Sequence, residues 1–144
     1  MTSDLKICEV PAYPVLVARA PFVAGKVPQT MMPLLGRVWE FIRKLSIKND
    51  GHNIAIYRNG AIEAGVRVLE LVDGDGDVYC TTTPSGRVAT VTHVGPYQRM
   101  HESYSVLDQY LQANGLKCAA SWELYGHWND DESKLTTDLY YLLK

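Results

Sequence analysis

Several common sequence features are scarce in this chain of 144 residues, and each shortage removes a class of protein. The only cysteines are Cys8, Cys80 and Cys118, whose wide spacing fits neither a disulfide framework nor a zinc site. The formal net charge is −2 and no run of lysine and arginine occurs, so the basic patch of a general nucleic-acid or membrane-surface binder is missing. We therefore expect reduced thiols and no direct contact with nucleic acid.

Long apolar segments and the common catalytic motifs are also absent. No apolar run approaches the ~20 residues that span a bilayer, and the start, MTSDLKICEV, lacks the basic and apolar regions of a signal peptide. The four histidines show no metal-ligand spacing, and there is no GxSxG turn, Walker loop or GxGxxG turn. We therefore expect a cytoplasmic protein with no membrane segment, no metal and no cofactor.

The first half of the chain predicts two strands, a helix and two further strands. LKICE (5–9) and YPVLVARA (13–20) are rich in β-branched residues, and an amphipathic helix follows from about Pro28, with its regular part beginning at Pro33. Strands at 53–57 and 62–71 come next, joined through Asn-Gly, a strong hairpin signal.

The second half repeats this order after a flexible DGDGD linker at 73–77. Strands VYCTTT and RVATVTHV precede a helix that opens at Gly95 and Pro96, and CAASWELYGHW and KLTTDLYYLL supply the last two strands. The apolar stripe of this helix is predicted to consist of Met100, Tyr104, Leu107 and Leu111.

Repetition of one element order at a spacing of roughly 75 residues indicates internal duplication within a single domain, with repeats of 1–73 and 77–144. The predicted fold is α+β: an antiparallel eight-stranded sheet with two helices on one face and a central groove between them. Such a groove is a natural ligand site.

The stretch SWELYGHW, residues 121–128, places one carboxylate among aromatic side chains. Because strand side chains alternate, Glu123 shares a face with Tyr125, and Asp138 shares a face with Tyr140 on the last strand. If both strands turn that face to the groove, it holds two carboxylates and at least two phenols. An alternative interpretation is that Glu123 lies in water at a sheet edge, or is satisfied by Arg87, Arg67 or a backbone donor.

Other aromatic residues are candidates for the walls of such a site. Trp39 lies on the apolar stripe of the first helix and serves as core or as ligand contact. Tyr57, just before the Asn-Gly turn, is either a strand-end packing residue or a pocket phenol. Tyr97 either faces the mouth of the groove or packs the second helix against its neighbour.

A known family resembles this chain in the order and spacing of its segments. THVGPY, an amphipathic helix, WELY, an acidic turn and TDLYY, with the first-half Tyr57 and EAGV at 63–66, resemble the GyrI-like domains, the effector-binding domains of bacterial multidrug-responsive transcription regulators. The resemblance covers nearly the whole chain. It implies a duplicated fold whose cleft takes up bulky, lipophilic, often cationic compounds, and so a part in drug binding, transcription regulation or antibiotic resistance.

The resemblance also implies roles for particular residues. Glu123 in WELY matches the family's acid in the penultimate strand, which acts as a counter-charge in the cleft. Asp138 and Tyr140 match the family's Glu, one residue, then Tyr in the last strand, with a shorter acid here. The proline that often follows in the family is replaced by Leu142 and Leu143.

Three functions stay open on this basis. The leading hypothesis is a stand-alone binding module for lipophilic cations, without chemistry of its own, since no helix-turn-helix precedes strands that begin at about residue 5. The second is a hydrolase of strained electrophilic natural products, to which some relatives are similar, with Glu123 as general base and Tyr57 or Tyr140 polarising the electrophile. The third is an interaction with a protein partner, either gyrase or a DNA-binding regulator.

Overall fold

The computed structural model describes residues 2–144, and eight antiparallel strands and two helices give the protein an α+β fold. In chain order the elements are β1 (Lys6–Val10), β2 (Pro14–Pro21), α1 (Val27–Leu45), β3 (Asn49–Arg58), β4 (Ala61–Val68), β5 (Tyr79–Thr82), β6 (Gly86–Val94), α2 (Met100–Ala113), β7 (Cys118–Tyr125) and β8 (Thr136–Leu143). The predicted α+β class and the repeated strand-strand-helix-strand-strand order are confirmed.

The elements form two compact units. The N-terminal unit is Ala12–Thr83, with strand order β3-β4-β2-β5, and the C-terminal unit is the described chain up to Pro11 together with Pro84–Lys144, with strand order β1-β6-β8-β7. The first strand of each half is exchanged, because β1 pairs with β6 and β5 pairs with β2. The units therefore differ from the predicted repeats by one strand each.

In the N-terminal unit, α1 begins close to the start predicted near Pro28, and the prediction that its regular part begins only at Pro33 is wrong. It begins at Val27, and Pro28 is tolerated in the first turn because the N–H that proline lacks would have no helical partner there. The buried stripe of the helix consists of Leu34, Leu35, Val38, Phe41 and Ile42. This stripe supplies the helical side of the unit's core.

The strands of the N-terminal unit pack closely. Asn59 and Gly60 have φ angles of 55° and 71°, as the hairpin turn predicted from Asn-Gly requires. A Cβ atom on Gly65 would lie 1.8 Å from the backbone oxygen of Leu16 on β2, so only glycine fits at that position. The strand predicted over 62–71 was too long, because β4 ends at Val68 and the chain beyond it is exposed.

In the C-terminal unit, α2 packs on the sheet through a buried apolar cluster: Ala89, Val91, Leu107, Leu111 and Leu139. The helix begins at Met100 and not at Pro96, since Pro96 is extended (ψ 144°) and a 3-10 turn at Tyr97–Arg99 comes between them. His93 is fully buried below this turn, with Nε2 3.0 Å from the Pro96 oxygen and Nδ1 2.7 Å from Ser103 Oγ.

Cys8, Cys80 and Cys118 are free thiols. Over residues 2–144, no group of three or more His, Cys, Asp or Glu side chains has a geometry that could hold a metal ion. None of the helices in the same range has both the length and the apolar character needed to cross a membrane.

Candidate functional site

The carboxylate of Glu123 lies inside the C-terminal unit. The residue is 4% exposed and sits on β7 directly opposite Leu139 of β8. Leu139 packs beneath Leu107 and Leu111 of α2, so Glu123 is on the face of the sheet that the helix covers. The alternative of a water-exposed carboxylate at a sheet edge is therefore wrong.

Two phenols give hydrogen bonds to this carboxylate. Tyr104 on α2 donates to Oε2 of Glu123, and Tyr125, two residues further along β7, donates to Oε1. Tyr104 lies three residues before Leu107, which brings it onto the same face of the helix. Both oxygens thus accept hydrogen bonds from neutral donors, which hold the carboxylate in a fixed place without bringing a positive charge.

Two further tyrosines complete a cluster of four phenol rings near the carboxylate. The ring of Tyr97 meets that of Tyr125 edge to face, with centroids 5.6 Å apart, and the rings of Tyr104 and Tyr141 are 6.0 Å apart. Burial raises the pKa of Tyr97. We call Tyr97, Tyr104, Tyr125 and Tyr141 the tyrosine cluster.

Tyr141 joins this cluster to the surface of α2. Its hydroxyl donates to Oδ1 of Asp108 over 2.7 Å. Burial and then the hydrogen bond to Asp108 raise the pKa of Tyr141, and the negative charge of Glu123 adds a smaller increase. The hydroxyl of Tyr141 therefore links the tyrosine cluster to the surface of α2.

The prediction that one face of the sheet holds both carboxylates is wrong. Tyr140 is opposite Trp122, so Tyr140 and Asp138 lie on the other face from Glu123. Tyr140 stacks on Trp122 with centroids 5.0 Å apart and an angle of 8° between the rings. Asp138 accepts a hydrogen bond of 2.6 Å from Thr92 Oγ1. The tyrosine of β8 that faces the same side as Glu123 is Tyr141, which the sequence analysis did not single out.

Trp39 and Tyr57 belong to the N-terminal unit. The indole Nε1 of Trp39 donates to Oδ1 of Asn53 over 2.8 Å, and Asn53 shares a face of β3 with Tyr57 by alternation. Trp39 and Tyr57 are half-buried, and Tyr57 lies on the face of the sheet that α1 covers. Tyr57 meets Phe22 edge to face at 5.9 Å. Their participation in one ligand site with Glu123 stays a prediction.

A second buried carboxylate, which the sequence analysis did not identify as a site, lies in the N-terminal unit. Glu63 is 7% exposed and receives hydrogen bonds of 2.5 Å from Arg58 Nε and from the Tyr79 hydroxyl. Arg58 also donates to the Thr82 carbonyl oxygen. Burial, and then the hydrogen bond to Glu63, raise the pKa of Tyr79. An arginine neutralises Glu63 within the fold, so this cluster has a structural role.

The arginines proposed as alternative partners of Glu123 have other surroundings. Arg67 forms an ion pair with Asp50 and lies over the ring of Tyr13, 5.0 Å from its centre. Arg87 is exposed on β6. Tyr104 and Tyr125 are therefore among the donors around which the site is built.

Comparisons with known proteins agree with this fold. The family model for the GyrI-like small molecule binding domain matches residues 3–144. No curated protein matches the sequence at a significant level.

Several solved structures are similar over nearly the whole chain. The C-terminal domain of EcmrR has a TM-score of 0.80 at 19% identity, over 98% of this chain and 97% of that one. In the EcmrR–DNA complex the TM-score is 0.79 at 16% identity, and the match covers 98% of this chain but 57% of that chain.

Two other similar structures differ in their descriptions. SAV2435 bound to tetraphenylphosphonium has a TM-score of 0.66 at 14% identity, over 99% of this chain and 94% of that one. A hydrolase from Listeria innocua has a TM-score of 0.59 at 11% identity, over 97% of this chain and 91% of that one. At such low identities these similarities establish the fold alone.

Proposed function

Because the chain belongs to the family of GyrI-like small molecule binding domains, we propose that it binds lipophilic cations and that Glu123 provides the counter-charge. The observation that supports this most directly is a carboxylate that is 4% exposed and held by phenols. A buried carboxylate is costly in a small domain unless something compensates for it. Here a cationic guest would contribute part of that compensation.

The magnitudes favour a cation over a neutral guest. A positive centre ~4 Å from the carboxylate gains on the order of 4 kcal/mol at an effective dielectric of about 20, part of which desolvation offsets. Each phenol ring of the tyrosine cluster adds ~0.5–2 kcal/mol when a cation lies over its face. The charge and the rings together thus favour guests that are both cationic and aromatic.

The similar structures are consistent with this class of guest. SAV2435 was solved with tetraphenylphosphonium, a bulky lipophilic cation, and EcmrR was solved in a complex with DNA. We propose that this chain acts as a binding module of the same kind. The expectation that it does not bind nucleic acid by itself stays a prediction.

The test is a comparison of two probes that have the same size and shape and opposite charge. In isothermal titration calorimetry, tetraphenylphosphonium should bind at least about tenfold more tightly than tetraphenylborate, because the carboxylate attracts one and repels the other. Equal affinities would show that the site recognises shape alone and would contradict the role of Glu123.

The second candidate function is hydrolysis, which the similarity to the Listeria innocua hydrolase brings into consideration. A general base needs a carboxylate lone pair directed at the attacking water. Both oxygens of Glu123 accept phenol hydrogen bonds, but each carboxylate oxygen has two lone pairs, so these bonds do not decide between a counter-charge and a base. Turnover of an epoxide, followed by mass spectrometry and abolished in Glu123→Gln, would favour the enzyme instead.

A further inference from the structure

One buried hydroxyl beside the tyrosine cluster has no hydrogen bond. Thr137 on β8 is 1% exposed, and its Oγ1 finds no hydrogen-bond partner among residues 2–144. Buried polar side-chain atoms are nearly always bonded in folded proteins, and leaving one unbonded is destabilising. Valine has the same shape and suits a strand at least as well, so the fold alone gives no reason for a hydroxyl there.

The neighbours of Thr137 have their polar atoms engaged elsewhere. On β8, Thr137 is opposite His93 of β6 on one side and Tyr125 of β7 on the other. The two ring nitrogens of His93 bond Ser103 Oγ and the Pro96 oxygen. The Tyr125 hydroxyl donates to the carboxylate of the site.

Thr137 lies on the same face of the sheet as the carboxylate. Side chains alternate along β8, so Thr137 and Leu139 both point to the α2 side, and Leu139 is the residue opposite Glu123. Glu123 and Thr137 are thus diagonal neighbours across two strands, a separation of ~7–8 Å. A guest of moderate size could contact both residues.

We propose that Thr137 is a specificity-determining residue of the ligand site, which recognises a hydrogen-bonding group on the guest a short distance from its cationic centre. This inference rests on the proposed function. It narrows the class of guest to aromatic cations that carry a hydroxyl, ether or similar polar group, in preference to purely hydrocarbon cations. A threonine hydroxyl can donate and accept, so either kind of group can satisfy it.

The test uses two probes of nearly equal size, (4-hydroxyphenyl)triphenylphosphonium and (4-methylphenyl)triphenylphosphonium. Each is titrated calorimetrically into the wild-type protein and into Thr137→Val, Thr137→Ser and Thr136→Val. Thr136 is exposed and faces the other side of β8, which makes Thr136→Val a matched control. The quantity measured is the ratio of the two dissociation constants in each protein.

We expect Thr137→Val to weaken binding of the hydroxyl probe relative to the methyl probe by about five- to tenfold, the usual effect of one hydrogen bond. Thr137→Ser and Thr136→Val should keep the wild-type ratio. An unchanged ratio in Thr137→Val, with both cations still bound, would overturn this inference and leave the proposed function standing. Failure of both cations to bind the wild-type protein would overturn the proposed function and this inference with it.

Discussion

Replacing Glu123 by glutamine removes the charge of the proposed site and keeps its shape. The change should lower the affinity for tetraphenylphosphonium by ~1.5–3 kcal/mol, roughly ten- to 150-fold in Kd, the range for a charge-assisted contact. The Coulomb gain of about 4 kcal/mol at 4 Å is larger, but desolvation of the carboxylate and of the guest offsets part of it.

The fold should tolerate this substitution. The glutamine oxygen can accept from one phenol, and the amide N–H can donate to the oxygen of the other, because a tyrosine hydroxyl both donates and accepts. Tyr104 and Tyr125 therefore keep their contacts with the side chain. We expect the free energy of unfolding, measured in urea, to change by about 1 kcal/mol or less.

The other buried glutamate provides the matched control. Glu63→Gln takes the carboxylate away from Arg58 and should lower the free energy of unfolding by about 2 kcal/mol, less than for a fully buried pair because Arg58 is 22% exposed. Its affinity for the cation should stay at the wild-type value. Calorimetric titration at fixed ionic strength separates the two effects.

Two results would refute this reasoning. In the first, Glu123→Gln is folded and binds tetraphenylphosphonium within about twofold of the wild-type Kd, which would show that the buried charge does not recognise the guest. In the second, Glu63→Gln weakens binding as much as Glu123→Gln does, which would show that the loss follows from general destabilisation.

Two further predictions concern stability and strand exchange. The pKa of Tyr141 is raised above its ordinary value of about 10, so the protonated hydroxyl stabilises the folded protein fully below pH 10. Above pH 10 this contribution to the free energy of unfolding is lost, by up to ~1.4 kcal/mol per pH unit. In urea unfolding from pH 8 to 11, the wild-type protein should lose its advantage over Tyr141→Phe, and a constant difference would contradict this. A protease site inserted at Gly76, where no other atoms crowd the chain, should leave the cleaved halves together in size-exclusion chromatography. They should elute at the mass of the 16.1 kDa chain plus the insertion, because each half contains a strand paired with the other half. Separation of the halves in native buffer would contradict the exchanged pairing.

Local sequence patterns were sufficient to predict most elements of the fold. Asn-Gly predicted the hairpin after β3, and apolar periodicity predicted both helices. The start of α2 was missed because Pro96 is compatible both with a first helical position and with the extended conformation that it has. The exchange of β1 and β5 was also out of reach, since pairing partners far apart in the chain leave no local signal.

The burial of Glu123 could be predicted from the sequence, but its contacts with other elements could not. Aromatic neighbours in WELY indicated that Glu123 is buried, and the helical stripe placed Tyr104 toward the sheet. The sequence does not say which strand residue lies below a given helix residue, so the bond between these two side chains could not be predicted. The side to which Tyr140 points was equally undetermined, because a shift of one residue in the pairing of β7 and β8 reverses it.

The two buried glutamates differ in the charge of the donors that bond them, which is why we propose different roles for them. Glu63 is bonded by Arg58, whose positive charge neutralises it and leaves a stable structural cluster. Tyr104 and Tyr125, which donate to Glu123, are neutral and fix the position of its carboxylate. Phenol donors, unlike the guanidinium of Arg58, bring no positive charge to the carboxylate that they bond. The proposed counter-charge depends on this difference, because a carboxylate attracts a cationic guest and the aromatic rings beside it add to that attraction.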